Sequence, residues 1–194
     1  MLSANSDDLD RQDMARLAAG HDAALNDLME RHAQRLFSYL LRLCHHEIEA
    51  SEFAQESFVR VWQARTRYRP DHKFSTWLYA IATNLWRDQQ RWHQRHPAVS
   101  LEAPLDESGK DLKESLPDSR PAPDEIAQAE ERAALVRQAV AALPEDLRTP
   151  LVLAEYEGLS QVEIAQILDC TPKAVEMRIY RARHQLRERL AGLL

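Results

Sequence analysis

At 194 residues, with 44% apolar residues and a net charge of −6, the chain has the length for one large or two small domains and an ordinary globular composition. Four glycines, nine prolines and no alternating apolar run argue against a sheet and leave an all-α fold. No stretch approaches about eighteen consecutive apolar residues, residues 1–8 lack a basic-then-apolar leader, and Cys44 and Cys170 are too few for a disulfide framework, so a reduced, cytoplasmic protein with no membrane span is expected.

Apolar spacing predicts four helices in the first half, over residues 8–19, 21–44, 47–65 and 75–94. In the second, Leu25, Leu28, Met29, His32, Leu36, Tyr39, Leu40 and Leu43 form one broad stripe. The third turns Ala54, Phe58, Val61 and Trp62 inward and leaves Glu49, Glu52, Gln55, Glu56 and Gln63 outside. Such an acidic face is either simply solvated or a docking surface.

Residues 65–95 carry seven Lys/Arg against two Asp, a net of +5, interleaved with Tyr68, Phe74, Trp77, Tyr79, Trp86 and Trp92. Mixed cations and rings suit single-stranded nucleic acid, the cations following phosphates and the rings taking unstacked bases. Phe74, Trp77, Leu78, Ile81 and Leu85 fall at core spacing, which leaves Tyr68, Trp86 and Trp92 as candidate exposed rings. Asn84, Arg87 and Arg91 share one helical face, with Asp88 beside them. Five prolines between 97 and 123 then break every periodicity, and from His96 to Glu125 eight acidic residues against three basic ones give a net of −5. This acidic linker reads as a solvated tether or as a polyanion mimic lying in a partner's basic channel.

A helix-turn-helix closes the chain. Ser160 with Glu163 makes a capping box, and Thr171 followed by Pro172 gives an N-cap with proline at the first helical position. Ile164, Ala165 and Leu168 face Val175, Ile179 and Ala182, leaving Lys173, Glu176, Met177, Tyr180, Arg181 and Arg183 outside. Residues 171–190 hold six Lys/Arg against two Glu, a basic stripe on an acidic chain. A free face of this kind suits a major groove, with guanidinium forks for phosphate or guanine, carboxylate for cytosine and apolar atoms for thymine methyls.

Four segments resemble, in order and spacing, the regions of bacterial sigma factors of the extracytoplasmic-function (ECF) group. They are Glu52-Phe-Ala-Gln-Glu-Ser-Phe-Val-Arg-Val-Trp62, Phe74-Ser-Thr-Trp-Leu-Tyr-Ala-Ile-Ala-Thr-Asn84 with its continuation to Arg91, Leu143-Pro144 with Leu147-Arg148 and Gly158-Leu-Ser160, and Arg178-Ile-Tyr-Arg-Ala-Arg183. The resemblance covers nearly the whole chain. It implies two small helical domains, region 2 over 1–96 and region 4 over 124–194, joined by a flexible acidic linker over 97–123. It implies a promoter-specificity subunit rather than an enzyme, with no cofactor and no metal. Glu52, Gln55 and Glu56 would dock on the clamp coiled coil of the largest subunit of core RNA polymerase, with further contact to the flap of the second-largest. The family often has aspartate where Glu52 stands.

By the same resemblance, Tyr68, Asp71, His72, Lys73, Asn84, Arg87 and Arg91 would read and open the minus-10 element, and Asp71, His72 and Lys73 would line a pocket for an extruded base. The helix after Thr171 would read the minus-35 element, with Lys173 and Arg178 mainly on phosphates, Glu176, Met177, Tyr180 and Arg181 nearest the bases, and Arg183 among the DNA-binding residues of the same helix. Many relatives carry a basic or small residue in place of Glu176 and Met177. Glu176 either accepts from cytosine or pairs with Lys173. The linker would thread a basic channel of the polymerase, and an anti-sigma factor would hold the free protein.

Two other classes compete. An enzyme would have to rest on the eight histidines, but adjacent helical residues such as Cys44-His45-His46-Glu47 point about 100° apart and cannot share one metal, so a helix-end cluster is expected there. His93 and His96 have no third ligand beside them and join the polyanion-facing surface. A stand-alone regulator shares the helix-turn-helix but leaves 65–95 unexplained, and should bind duplex DNA without polymerase.

Overall fold

The computed structural model describes residues 3–96 and 123–191, and of residues 3–5, 94 and 123–129 the backbone alone. Among the described residues there are eight α-helices and no strand: α1 Ser3–Ala18, α2 Ala24–Cys44, α3 Glu47–Gln63, α4 Phe74–Arg95, α5 Pro123–Ala141, α6 Glu145–Glu155, α7 Gln161–Leu168 and α8 Pro172–Leu190, with a 3-10 turn over Arg65–Arg67. The all-α expectation holds. The linker expectation lies outside the described residues except at its last position, Pro123, which opens α5.

Gly20, at φ +93°, ends α1 in the left-handed region that glycine adopts without strain, and a turn over 21–23 delays α2 to Ala24. The broad stripe of α2 is buried at Leu28, Leu36, Tyr39, Leu40 and Leu43. Its far end explains the histidine cluster. His45 is the left-handed C-cap of α2, with its N–H on Leu41 O, and His46 is the N-cap of α3, its Nδ1 accepting from Glu49 N at 3.4 Å. Both side chains sit at a helix junction, and no group of three ligating residues occurs among the described residues.

Two of the acidic residues of α1, Asp10 and Asp13, turn inward and find cations there, while Asp8 stays exposed. Asp10, 1% exposed, accepts from Arg31 Nε at 2.9 Å and from His32 Nε2 at 2.8 Å, and Asp13 accepts from Arg31 Nη2 and Arg16 Nη1. A buried carboxylate is tolerated on those terms. Tyr39 and Tyr79 meet edge to face at 5.0 Å, and the Thr83 hydroxyl bridges Tyr39 Oη to the Tyr79 carbonyl.

Two tryptophans exchange their expected places. Trp86 is buried rather than exposed, because α3 also packs on α4 and brings Phe53 edge-on at 5.9 Å. Trp62, expected inside, is 39% exposed, held by Nε1 donating to Asp22 at 2.9 Å and by the Arg65 guanidinium 4.5 Å over its ring. The helix-turn-helix does not stand apart from α1–α4: α7 packs along α4 and α6 against α2, and buried apolar residues of both halves form one continuous cluster.

Candidate nucleic-acid interface

The helix-turn-helix is set by its caps. Ser160 N donates to Glu163 Oε2 at 2.8 Å while Glu163 N donates to Ser160 Oγ at 3.3 Å, the two halves of the capping box that starts α7. Asp169, at φ +49°, ends α7, and Thr171 Oγ1 accepts from Ala174 N at 3.2 Å with Pro172 behind it, so only three residues separate the helices. Ile164, Ala165 and Leu168 are buried against Val175, Ile179 and Ala182, as the spacing predicts.

The free face of α8 exposes Lys173, Glu176, Met177, Tyr180 and Arg181. Tyr180 is 63% exposed and Met177 39%, so a ring and a thioether stand among the charged side chains of that face. Lys173 Nζ lies 3.0 and 3.1 Å from the two Glu176 oxygens, so of the two roles weighed for Glu176 the local pairing is the one present in the free chain. Arg183 reaches back to Glu155 of α6 at 3.1 Å, and Arg178 is half-buried with Nη1 3.7 Å from Cys170 Sγ.

On α4 and the loop before it, Asp71, His72, Lys73 and Asn84 are exposed, as is Arg91, which pairs with Asp88 one turn back. Tyr68 is half-buried: its ring lies 5.4 Å from Trp77 and its hydroxyl donates to the His72 carbonyl at 2.8 Å, which pins the loop. Between this loop and α7 lies a cleft of about 280 Å³ lined by Arg67, Tyr68, His72, Thr76, Trp77 and Gln166. The Thr76 hydroxyl on its wall is buried without a hydrogen-bond partner. Sequence spacing did not single out Thr76, because a threonine facing a helix interior looks like any other small core residue. Trp92 is 52% exposed and stacks on His96 at 4.9 Å.

Two cations assigned to the minus-10 face are already occupied. Arg87 Nε is 2.9 Å from Glu145 at the start of α6, and Lys73 Nζ is 3.0 Å from Glu163 of α7, with Asp7 at 3.7 Å. Burial pushes the Glu163 carboxyl up, but the hydrogen bonds from Ser160 and Lys73 outweigh it and hold the group below the usual carboxylate range. On α3 of the same half, Glu52, Gln55 and Glu56 are exposed, flanked at helical spacing by Ile48, 66% exposed, and Val59, 45% exposed. Glu56 pairs with Arg60 at 2.9 Å.

Two family models match the chain, sigma-70 region 2 over residues 28–96 and sigma-70 region 4 over residues 133–186. Along 185 residues it is 34% identical to the RNA polymerase sigma-H factor of Pseudomonas aeruginosa, covering 95% of each chain. With the ECF RNA polymerase sigma-E factor of Salmonella typhimurium it shares 34% identity over 183 residues, 92% of this chain and 93% of that one. The chain belongs to the ECF sigma factors. Among solved structures, CnrH in complex with the cytosolic domain of CnrY is similar at a TM-score of 0.69 and 28% identity, covering 95% of this chain and 98% of that one. The fold is shared too with the sigma factor RpoE of Bartonella quintana, solved in complex with the anti-sigma factor NepR, at a TM-score of 0.63 and 20% identity over 86% of this chain and 96% of that one. Within this sigma factor the region 2 match covers α3, α4 and most of α2, and the region 4 match covers the capping box and most of the basic helix α8.

Proposed function

We propose that this protein is a dissociable promoter-specificity subunit, an alternative sigma factor that binds core RNA polymerase in the cytoplasm and directs it to a subset of promoters. The observation that carries the reading is the family membership across both regions, on a chain that presents two separate basic faces despite a net charge of −6. The family works as DNA-binding initiation factors, and bond-making chemistry is left to the polymerase.

Each face has a physical task. The α3 stripe of Ile48, Glu52, Gln55 and Val59, with Glu56 at its border, offers an apolar strip edged by carboxylates to a basic helical partner, the clamp coiled coil of the largest subunit. On α8, Arg181 can fork onto guanine, Met177 and the Tyr180 ring can meet thymine methyls, and Lys173, Arg178 and Arg183 can neutralise phosphates. Glu176 reads cytosine only after exchanging Lys173 for the base, so the pair tunes that contact.

Along α4, Arg87 and Arg91 track the backbone while Asn84 offers an amide to a base edge. Extruding a base costs a few kcal/mol of stacking. The cleft beside Tyr68, His72 and Trp77 can repay part of it through ring contact and the unpartnered Thr76 hydroxyl. Of Asp71, His72 and Lys73, only His72 lines that cleft, and Lys73 turns instead to Glu163. The acidic linker would lie in a basic channel of the polymerase, and an anti-sigma factor would cover the exposed faces of the free protein, the kind of partner with which the Bartonella quintana sigma factor was solved.

Gel filtration of the full chain mixed with core RNA polymerase tests the reading. A stoichiometric complex is expected. A chain that elutes free of polymerase yet binds duplex DNA tightly by itself is a stand-alone regulator instead.

A further inference from the structure

We propose that the cleft on the seam between α4 and α7 binds a free mononucleotide, with the base against Tyr68 and Trp77 and the phosphates at Arg67 and Arg69. The proposal stands on the make-up of the cleft and goes beyond the reading of α4 as a DNA-binding face. Ligand pockets run from roughly 300 Å³ upward and combine apolar walls with a few convergent polar groups. At about 280 Å³ this cleft is at the small end of that range, which suits one base with its sugar and leaves the phosphates at the mouth. Tyr68, Trp77 and Ala80 supply the apolar wall.

The Thr76 hydroxyl is the strongest sign of a ligand. Thr76 is 5% exposed, stands in the wall of the cleft, and its Oγ1 has no hydrogen-bond partner among the described residues. A buried hydroxyl left unbonded costs its desolvation, whereas valine would fill the same space without that cost. Threonine on a helix has two accessible χ1 rotamers, so Oγ1 can turn to a group lying in the cleft. The polar groups around it are free as well. Gln166, on the α7 wall, is exposed, and its side-chain amide makes no hydrogen bond among the described residues, so it offers a donor and an acceptor to the edge of a base. Arg67 and Arg69 line the cleft, are exposed, and pair with no carboxylate among the described residues, unlike Lys73, Arg87 and Arg91. His72 and Thr76 bracket the first turn of α4, where Lys73 provides no side-chain cap, so the N–H groups and positive dipole end of a 22-residue helix add to the attraction for an anion.

Ring faces, an amide, a hydroxyl and unpaired cations beside one another call for a flat heterocycle that bears an anionic group. A phosphate ion would satisfy the arginines and leave the rings and Thr76 unused; an uncharged apolar ligand would do the reverse. The Tyr68 and Trp77 rings are 5.4 Å apart and tilted by 46°, so a base stacks on one and meets the other at its edge instead of being sandwiched. A base extruded from promoter DNA brings the same chemistry to the same rings. The two sources part at Gln166, which belongs to the helix-turn-helix half: a free nucleotide in the cleft touches α4 and α7 together and stabilises the chain by mass action.

Isothermal titration of the full chain with the four ribonucleoside triphosphates in turn, then with inorganic triphosphate and the nucleoside of the tightest binder, tests the site. At least one nucleotide should saturate a single site, with both fragments bound about tenfold or more weakly because each engages only one end of the cleft. Arg67→Ala with Arg69→Ala, at exposed positions, should weaken that nucleotide about five- to tenfold, and Gln166→Ala about threefold. Thr76→Val separates a hydroxyl kept for a ligand from one kept for the fold. It should weaken the nucleotide about threefold while Tm stays level or rises. A lowered Tm or an unchanged affinity in Thr76→Val overturns the proposal, as does Gln166→Ala without effect or inorganic triphosphate bound as tightly as any nucleotide. A labelled single-stranded DNA of about ten nucleotides forms the second arm. If it binds and no nucleotide saturates by roughly millimolar concentration, the cleft serves DNA bases alone and the proposal fails. Failure of the sigma-factor reading shows separately, as a wild-type chain that does not associate with core polymerase.

Discussion

Removing one oxygen at the seam, by Tyr79→Phe, measures how firmly the halves are joined. Burial, then the adjacent Glu157 carboxylate, push the Tyr79 phenol well above the usual tyrosine value, so it is a fixed donor at neutral pH. A hydrogen bond from it to a buried carboxylate contributes about 1.5–3 kcal/mol. Glu157 keeps Arg35 at 3.5 Å, which limits the loss, and phenylalanine fills the same space, so a destabilisation of about 2 kcal/mol is expected. For a chain of this size that is a fall in Tm of about 4–8 °C if both halves unfold as one unit. Thermal denaturation followed by circular dichroism reads it. Glu157→Gln in both backgrounds completes a double-mutant cycle, with a coupling of at least about 1 kcal/mol expected. A fall under about 1 °C, or independent melting of the two halves with no coupling, refutes the claim that this bond ties α4 to the α6–α7 turn.

Four further outcomes are expected. Gln55→Ala with Glu56→Lys should abolish binding to core polymerase without changing the melting curve, since both side chains are exposed; retained affinity would remove α3 as the docking surface. Arg181→Ala should cost about 1–3 kcal/mol at cognate promoters and relax one base preference, whereas a uniform loss over all promoter variants would make Arg181 a phosphate contact. Asn84→Ala should impair duplex opening, with partial rescue on a pre-melted template; equal impairment on both templates would give Asn84 a structural role. Finally, burial and then Arg148 hold His45 below its ordinary 6.5, and Arg148, always a donor, requires Nε2 to be unprotonated. A depressed histidine contributes stability that is complete above the unfolded value and lost as pH falls through the folded one, so Tm should drop from about pH 7.5 to 5.5, and His45→Asn, which suits the left-handed backbone at φ +59°, should flatten that slope. An unchanged slope in the variant would assign the pH dependence to other groups.

What could be read from sequence was local. Ser160 with Glu163 and Thr171 with Pro172 act within three residues of one another, so the helix-turn-helix and its buried face were legible to the residue. The α2 stripe was legible because one neighbour-facing side decides it. Trp86 and Trp62 were not, since a third element settles each: Phe53 of α3 covers the first, and Asp22 before α2 draws the second outward. The seam had no signature at all. Its partners are separated by 78 residues for Tyr79 and Glu157, and the capping role of Glu163 gave no hint that its second oxygen reaches Lys73 on the other half. Arg87 and Lys73 carried the right chemistry for DNA, while their carboxylate partners become visible only once α6 and α7 are folded against α2 and α4.

The most direct measurement of the central claim is run-off transcription with purified core RNA polymerase, with and without the full chain, on a pool of promoter fragments from its host. Initiation that depends on the protein and is confined to a discrete subset of fragments sharing two elements is the predicted result. No protein-dependent initiation, together with tight binding of the free chain to duplex DNA, would contradict it.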